Sequence, residues 1–505
     1  MDVLVLSLYL LSTPVVGAVA ALSLWFLKIF VDRKWKSTQK LPPLPEVPGL
    51  PLIGNLLQLK EKKPHKTFAK WAQTYGPVYS IRTGSNTVVV LNSNDVVKEA
   101  MVTRFPAIST RKLSSAVKIL TSDKSIVAMS DYNEFYKTAK RHVLTQVLGP
   151  TAQRRNRILR DTLIDNTSDQ LHALFRNRPL EAVNYREIFQ LEVFGLAIKQ
   201  TLGKDVDSIY VEELRTTMSR QEILNCLVLD ILVGSIDVDW RDFFPYLNWI
   251  PNRSFENRIK QLDIRRTEVM KSLIKKTKMQ SAFKEECYLD YLESEGNMLS
   301  ERQIQMLLWE VLIATSDTPV VTTEWALYEL AIDSKRQARL YEEISRVCGS
   351  DKITEEKLNQ LPYLYAIFQE TLRLYSPVPI VPLRYVSEDT ELGGYFVRSG
   401  SEIAINIYGC NHDKNVWENP EEWNPERFME EKSETMELFR SMAFGGGKRA
   451  CVGALEAMTI SRMAIGRLIQ EFEWSVTDDQ VNDVDTVGLT SRKLQPLLAL
   501  IKPRS

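Results

Sequence analysis

The stretch FGGGKRACVG, Phe444 to Gly453, decides how the rest of the chain is read. Three consecutive glycines let a backbone come close to a flat ligand, because no Cβ stands in the way. The single cysteine of the loop, Cys451, can offer a thiolate to a metal. The run that follows, ALEAMTISRMAIGRLIQEF, carries apolar residues at helical spacing, so Cys451 stands just ahead of a helix amino terminus. Amides at a helix start favour the thiolate form, and Arg449 adds a fixed positive charge suited to a carboxylate. A buried cysteine after a glycine turn is the plainer alternative, and it suits Cys226 or Cys348 better.

Composition narrows what such a loop can serve. Among 505 residues, Lys plus Arg and Asp plus Glu each total 64, so the formal charge is zero and no strongly basic face for nucleic acid is expected. Hydrophobic residues make up 44% and charged residues 25%, which fits neither disorder nor a polytopic membrane protein. The five cysteines are scattered and odd in number, a pattern of a reducing compartment rather than of a disulfide framework. Four histidines without a His-x-x-x-His or His-Glu-x-x-His arrangement exclude a zinc hydrolase. There is likewise no phosphate-binding Gly-x-x-x-x-Gly-Lys-Ser/Thr loop and no Gly-x-Ser-x-Gly elbow.

Residues 3–27, VLVLSLYLLSTPVVGAVAALSLWFL, carry no charge. As a helix they would reach about 37 Å, enough to cross a hydrocarbon core of ~30 Å with some tilt. A cleaved signal peptide is the alternative, but its apolar run would be shorter and preceded by a basic residue rather than by Asp2. The basic residues Lys28, Arg33, Lys34, Lys36 and Lys40 follow the span, which places the remainder on the cytosolic side. The next run, LPPLPEVPGLPLIGN at 41–55, holds five prolines that each fix φ and remove a donor, so it is neither helix nor central strand. It reads as a stiff hinge or as an ordinary extended linker.

Beyond it the sequence is mostly helical. Two β patterns stand out, VYSIRTGSNTVVVLN at 78–92, turning at Gly84-Ser85-Asn86, and LGGYFVRSGSEIAINIYG at 392–409, turning near Gly400. No repeat or second linker is visible, so one mainly α domain with smaller β-sheets, an α+β domain, is expected.

Phe444, Gly447, Arg449, Cys451 and Gly453 together resemble the cysteine-ligand loop of the cytochrome P450 family. Other stretches are similar to that family's remaining motifs. Glu370 and Arg373, three apart in PYLYAIFQETLRLYSP, form a Glu-x-x-Arg pair on one helix face, and Pro425-Glu426-Arg427-Phe428 supplies Arg427. The resemblance implies a buried structural network of these three that braces the haem side. Ala314-Thr315-Ser316-Asp317-Thr318-Pro319 matches the oxygen-activating helix, retaining the acid and the key threonine while Thr315 replaces a glycine and Pro319 a hydroxyl residue. Proline in a helix interior cannot donate to the Thr315 carbonyl and kinks the helix, leaving polar groups for a proton relay. The alternative is that Thr318 merely bonds back to its own helix. In DYNEFYKTAKRH, Tyr136 and Lys140 stand where the family has Trp-x-x-x-Arg, whose helix contacts a haem propionate, and Arg384 aligns with a second propionate ligand. Lys137, Lys140 and Arg141 form a basic patch that could meet an acidic electron donor or simply be solvated.

The resemblance therefore implies a haem-thiolate monooxygenase with the cytochrome P450 fold. It would have an anchor helix at 1–30, a basic flank and hinge at 31–55 and a catalytic domain at 56–505. It further implies haem b held by Cys451, dioxygen as co-substrate, and electrons from NADPH through NADPH-cytochrome P450 reductase, with Asp317 and Thr318 assisting protonation. Long runs, among them VDWRDFFPYLNWIPN at 238–252 and VDTVGLTSRKLQPL at 484–497, are similar to the plant ent-kaurene oxidase group. That group implies three oxidations of an apolar diterpene to ent-kaurenoic acid, a gibberellin precursor, with a substrate that partitions into membrane lipid. The 106–125 loop, Thr315, Pro379, Ile380, Val381 and Thr490 are expected pocket walls by family position. A diverged diterpene hydroxylase and a non-catalytic haem- or terpenoid-binding membrane protein are the alternatives. Localisation in the endoplasmic reticulum membrane is expected, with the plastid outer envelope as the other choice.

Overall fold

Helices dominate the computed structural model, which describes residues 41–59, 63–279, 287–295, 299–429, 440–477, 486–487 and 490–504. Those that position the site are α1 (Pro64–Tyr75), α2 (Glu134–Val143), α3 (Arg157–Asn177), α4 (Tyr185–Leu202), α5 (Arg253–Met279), α6 (Glu301–Ile332), α7 (Ser334–Cys348), α8 (Pro362–Leu374) and α9 (Ala454–Glu471). The strands are β1 (Val78–Thr83), β2 (Asn86–Leu91), β3 (Thr110–Arg111), β4 (Val183–Asn184), β5 (Ile380–Tyr385), β6 (Glu402–Asn406), β7 (Phe472–Val476) and β8 (Leu498–Pro503).

Helix α6 organises the molecule. It starts in a reciprocal cap, where the Ser300 hydroxyl accepts from the Gln303 amide and the Gln303 side chain accepts from the Ser300 amide. Its apolar residues lie on all sides, as in a helix enclosed by protein. The first half, Met306 to Leu312, joins a core built with Tyr136 of α2, Phe194 of α4 and Val269 of α5. The second half, Val320 to Ala331, joins another with Leu340 of α7, Leu364 of α8, Ile465 of α9 and Trp474 of β7. The run between them, Ala314 to Pro319, belongs to neither core.

The five-stranded sheet has the order β1-β2-β6-β5-β3, antiparallel except for the β2–β6 pair, where Glu402 lies beside Val88. The expected turn at Gly84 joins β1 to β2. The second β pattern divides differently from its reading as runs about one turn. Tyr395–Val397 pairs back on Thr390–Leu392, while β6 crosses into the large sheet, and Ile407–Asn411 is a helix. A smaller sheet has the order β7-β8-β4.

The proline-rich stretch is docked rather than standing clear of the body. Ser80 of β1 donates from its amide to the Pro45 carbonyl at 2.8 Å and its carbonyl accepts from Val47 at 3.0 Å, with Val47 itself buried. It lies along a sheet edge, where lost donors matter least. The expected span at 3–27 and its basic flank lie outside the described residues, and among the described residues no helix is long and apolar enough to cross a membrane.

Candidate active site

Between Ser441 and α9 the chain folds into a tight loop. Cys451 donates its amide to the Phe444 carbonyl at 2.9 Å, Ala450 to Gly447 at 3.1 Å and Gly445 to Met442 at 2.8 Å. Gly447 has φ +65°, and a Cβ there would stand 2.5 Å from the Met101 carbonyl oxygen, so only glycine lets the loop lie this close to its neighbour. Gly453 is the N-cap of α9. Four of the five cysteines are buried, whereas Cys451 is exposed to open space.

The helix-end amide of Gly453 does favour the Cys451 thiolate, but in the protein alone it is outweighed. Burial by the walls around the sulfur pushes the thiol pKa up, outweighing the Gly453 amide and Lys140, which pull it down. A thiolate at this position calls for a cation directly on the sulfur.

Above the loop lies a cluster of positive charge formed by Arg111, Arg384 and Arg449. Nε, Nη1 and Nη2 of Arg449 and Nε and Nη1 of Arg384 are buried without a hydrogen-bond partner among the described residues. The Arg449 guanidinium sits 4.7 Å from the centre of the Tyr136 ring. Arg384 is pushed down to about 10 by burial and then by Arg449, and Arg111 to about 9 by burial, Arg384 and Arg449. Orphaned guanidinium donors are costly unless a carboxylate meets them. An exposed cysteine, a glycine loop and unpaired arginines together fit a flat, metal-bearing cofactor with carboxylate arms, which is haem. Arg111 was not singled out from the sequence, where nothing local separates it from a surface arginine.

Tyr136 and Lys140 do not reach this cluster with their polar ends. The Tyr136 hydroxyl donates to the Lys448 carbonyl at 2.7 Å and Lys140 Nζ donates to the same oxygen at 2.9 Å, so they hold the backbone of the cysteine loop. With Lys137 and Arg141 they line a surface groove of about 570 Å³.

On α6, Ala314 is exposed and Thr318 half-exposed in the mostly buried middle of the helix, so this stripe faces internal space. The Thr318 hydroxyl donates to its own helix, at the Ala314 carbonyl, 3.0 Å away. Asp317 is held elsewhere: Thr490 Oγ1 donates to its Oδ2 at 2.8 Å, and Arg492 lies 3.5 Å from its Oδ1. Thr490, expected in a pocket wall, thus gives its hydroxyl to the acid. Thr315 and Pro379 are buried, while Ile380 and Val381 are half-buried along β5. Glu310, one turn before Ala314, is a further carboxylate on this helix that the sequence reading passed over. Burial pushes it up to about 7 against two backbone amides.

The triad on the other side is fully assembled. Arg373 grips Glu370 through Nε and Nη2 at 2.7 and 2.8 Å, and Arg427 Nε reaches Glu370 Oε1 at 3.0 Å. The remaining Arg373 donors close on the carbonyls of Asn411 at 2.8 Å, Pro420 at 2.7 Å and Glu422 at 3.0 Å. One helix side chain thereby pins the segment leading to the cysteine loop.

The family model described as Cytochrome P450 matches residues 42–498. The chain belongs to the cytochrome P450 family. The family implies haem-thiolate chemistry, dioxygen, a redox partner and a hydrophobic substrate. An ent-kaurene oxidase of Salvia miltiorrhiza is 62% identical over 494 residues, covering 97% of this chain and 95% of that protein. Ent-kaurene oxidase 2 of Oryza sativa subsp. japonica is 52% identical over 455 residues, with 90% of each chain covered. Ent-sandaracopimaradiene 3-hydroxylase of the same rice is 47% identical over 466 residues, covering 92% of this chain and 91% of that one. A zebrafish cytochrome P450 structure with progesterone matches with a TM-score of 0.71 at 20% identity, over 87% of this chain and 99% of that one, which shows the shared fold.

Proposed function

We propose that this chain is an ent-kaurene oxidase that carries one methyl group through alcohol and aldehyde to ent-kaurenoic acid. The observation that carries the reading is 62% identity to the Salvia enzyme over 97% of the chain. Haem b, when bound, supplies reductive activation of dioxygen: each round takes up one dioxygen, two electrons and two protons, adds one oxygen atom at the substrate carbon and releases the other as water, and the hydrated aldehyde formed in the second round loses a further water.

The residues have separable tasks. Cys451 would hold the iron, and Arg384 and Arg449 would meet the carboxylate arms, as their unpaired donors require, with the charge of Arg111 beside them. Thr318 holds a proton at its hydroxyl on the exposed stripe of α6, and Asp317 behind it is kept oriented by Thr490 and Arg492. Ile380 and Val381 offer apolar wall to a hydrocarbon. Tyr136 and Lys140 keep the cysteine loop in register by holding the Lys448 carbonyl, and the groove they share with Lys137 and Arg141 suits an acidic face of NADPH-cytochrome P450 reductase.

The uncharged run at 3–27 and the basic residues after it support a single anchor helix within 1–30, a basic flank and hinge at 31–55 and a cytosolic catalytic domain at 56–505. The endoplasmic reticulum membrane is the proposed site, the plastid outer envelope the alternative. A membrane lipid phase also holds the apolar substrate.

Feeding ent-kaurene to microsomes that contain the chain and a plant reductase tests the reading, once a thiolate-type carbon monoxide difference spectrum is established. Gas chromatography-mass spectrometry should find ent-kaurenoic acid. A good spectrum without that acid would favour a diverged diterpene hydroxylase, the second reading, which the 47% identity to the rice hydroxylase supports.

A further inference from the structure

Glu310 lies four residues before Ala314 and eight before Thr318, so the three share the stripe of α6 that faces internal space. Both of its oxygens are engaged by backbone. Oε2 accepts from the Val127 amide at 2.8 Å and Oε1 from the Ala128 amide at 2.7 Å. Ala128 extends the tie: its carbonyl accepts from Arg111 Nε at 2.9 Å, and Arg111 Nη1 donates to the Pro382 carbonyl of β5 at 2.7 Å. A carboxylate, a loop backbone and a guanidinium thus connect α6 to β5 through residues 127 and 128.

The loop held in this way is not a relaxed one. Ser122, Asp123 and Lys124 are three successive non-glycine residues with φ of 47°, 52° and 69°. Side chains hold such backbone only where the surroundings impose it. Here Arg302 Nε donates to Ser122 Oγ at 2.8 Å, Lys124 Nζ grips Asp131 at 2.7 and 2.8 Å, and the Arg111 amide donates to Asp131 Oδ1 at 3.0 Å. Ala128 itself is exposed and Met129 half-buried, so the stretch borders open space with small and flexible side chains.

We propose that Glu310 is a positioning residue that fixes residues 126–128 as a wall of the substrate cavity, and that the rigidity of this wall keeps one carbon in place through successive oxidations. The proposal rests on the ent-kaurene oxidase reading. A hydrocarbon has no polar handle, so wall shape alone sets which carbon is presented. After the first round the product carries a hydroxyl group and gains a hydration reason to leave, so a wall that yields releases it early.

The test uses the full chain in microsomes with reductase, comparing wild type with Glu310→Gln and Glu310→Asp, each counted by its carbon monoxide difference spectrum. Glutamine keeps the size but turns one of the two acceptors into a donor facing an amide. Losing one charge-assisted hydrogen bond shifts a local opening equilibrium roughly tenfold or more. In Glu310→Gln, hydrogen exchange at the amides of 126–130 should quicken by about that factor, KM for ent-kaurene should rise roughly tenfold while kcat per haem changes far less, and alcohol and aldehyde should replace acid as the main products. Glu310→Asp, one methylene short but still charged, should fall between; if the glutamine variant does not assemble, the aspartate variant is read for the same direction. Unchanged exchange at 126–130, or faster exchange with unchanged KM and product ratio, overturns the proposal. A wild type that assembles haem but neither binds nor oxidises ent-kaurene sinks the functional reading instead, and the exchange measurement still decides whether Glu310 holds the loop.

Discussion

Arg449 and Glu370 are both buried charges with opposite prospects. Glu370 is satisfied by two arginines and the Asn424 amide, so Glu370→Ala leaves Arg373 and its neighbours buried without their carboxylate. A loss of ~3–5 kcal/mol is expected, seen as a collapsed denaturation midpoint and little haem incorporation. Arg449 has no such hydrogen-bonded partner among the described residues. Arg449→Met should therefore stabilise the haem-free protein by roughly 1–3 kcal/mol, by removing an uncompensated charge beside Arg384, and at the same time weaken haem retention. Paired thermal unfolding of the apo and holo forms checks both signs. The Glu-x-x-Arg pair could be read from its spacing along one helix. What the clustered arginines share could not, because Arg111, Arg384 and Arg449 come from three distant segments.

Pro319 stands inside α6, and the helix continues through it to Ile332. Around it the hydroxyls of Ser316, Thr318, Thr322 and Thr323 all donate to carbonyls of their own helix. These bonds go to the carbonyls of Leu312, Ala314, Thr318 and Pro319, not to that of Thr315, from which the proline withholds its donor. Pro319→Ala restores the donor to the Thr315 carbonyl and should raise stability by ~1–3 kcal/mol; if the free carbonyl serves proton delivery, the variant consumes more NADPH per product formed. Helix α1 meets the short helix Ile407–Asn411 through His65, which packs edge-on against Tyr408 at 5.1 Å, while Tyr408 stacks on His412 at 3.8 Å. Burial lowers both histidines from 6.5 to about 4, with nearby lysines adding to the effect. A depressed folded-state pKa means that the unfolded chain binds the extra protons between about pH 6.5 and 4, so stability is full above pH 6.5 and falls as pH drops through that window. Urea titrations across this range should flatten in His65→Gln and His412→Gln.

The long-range ties converge on α6. Arg186 of α4 donates to Glu324 through Nη2 at 2.7 Å and to the Lys493 carbonyl, and the Leu497 amide donates to Glu324 at 2.9 Å, joining α4, α6 and the carboxyl-terminal segment. Removing Arg186 alone strands a buried carboxylate and should cost about 3–5 kcal/mol, whereas Arg186→Met with Glu324→Leu should recover most of that loss in chemical denaturation. The same carboxyl-terminal segment brings Thr490 and Arg492 to Asp317. By itself the sequence determined the helical character, the first hairpin, the Cys451 loop and the Glu370–Arg373 face, because each depends on spacing within one short segment. Tertiary structure alone decided that Tyr136 and Lys140 hold the Lys448 carbonyl, that the proline stretch docks on β1, and that the Cys451 thiolate is disfavoured until a cation meets it. Those outcomes depend on which groups packing brings within hydrogen-bond reach and how far it removes them from water, and neither quantity is written in local sequence.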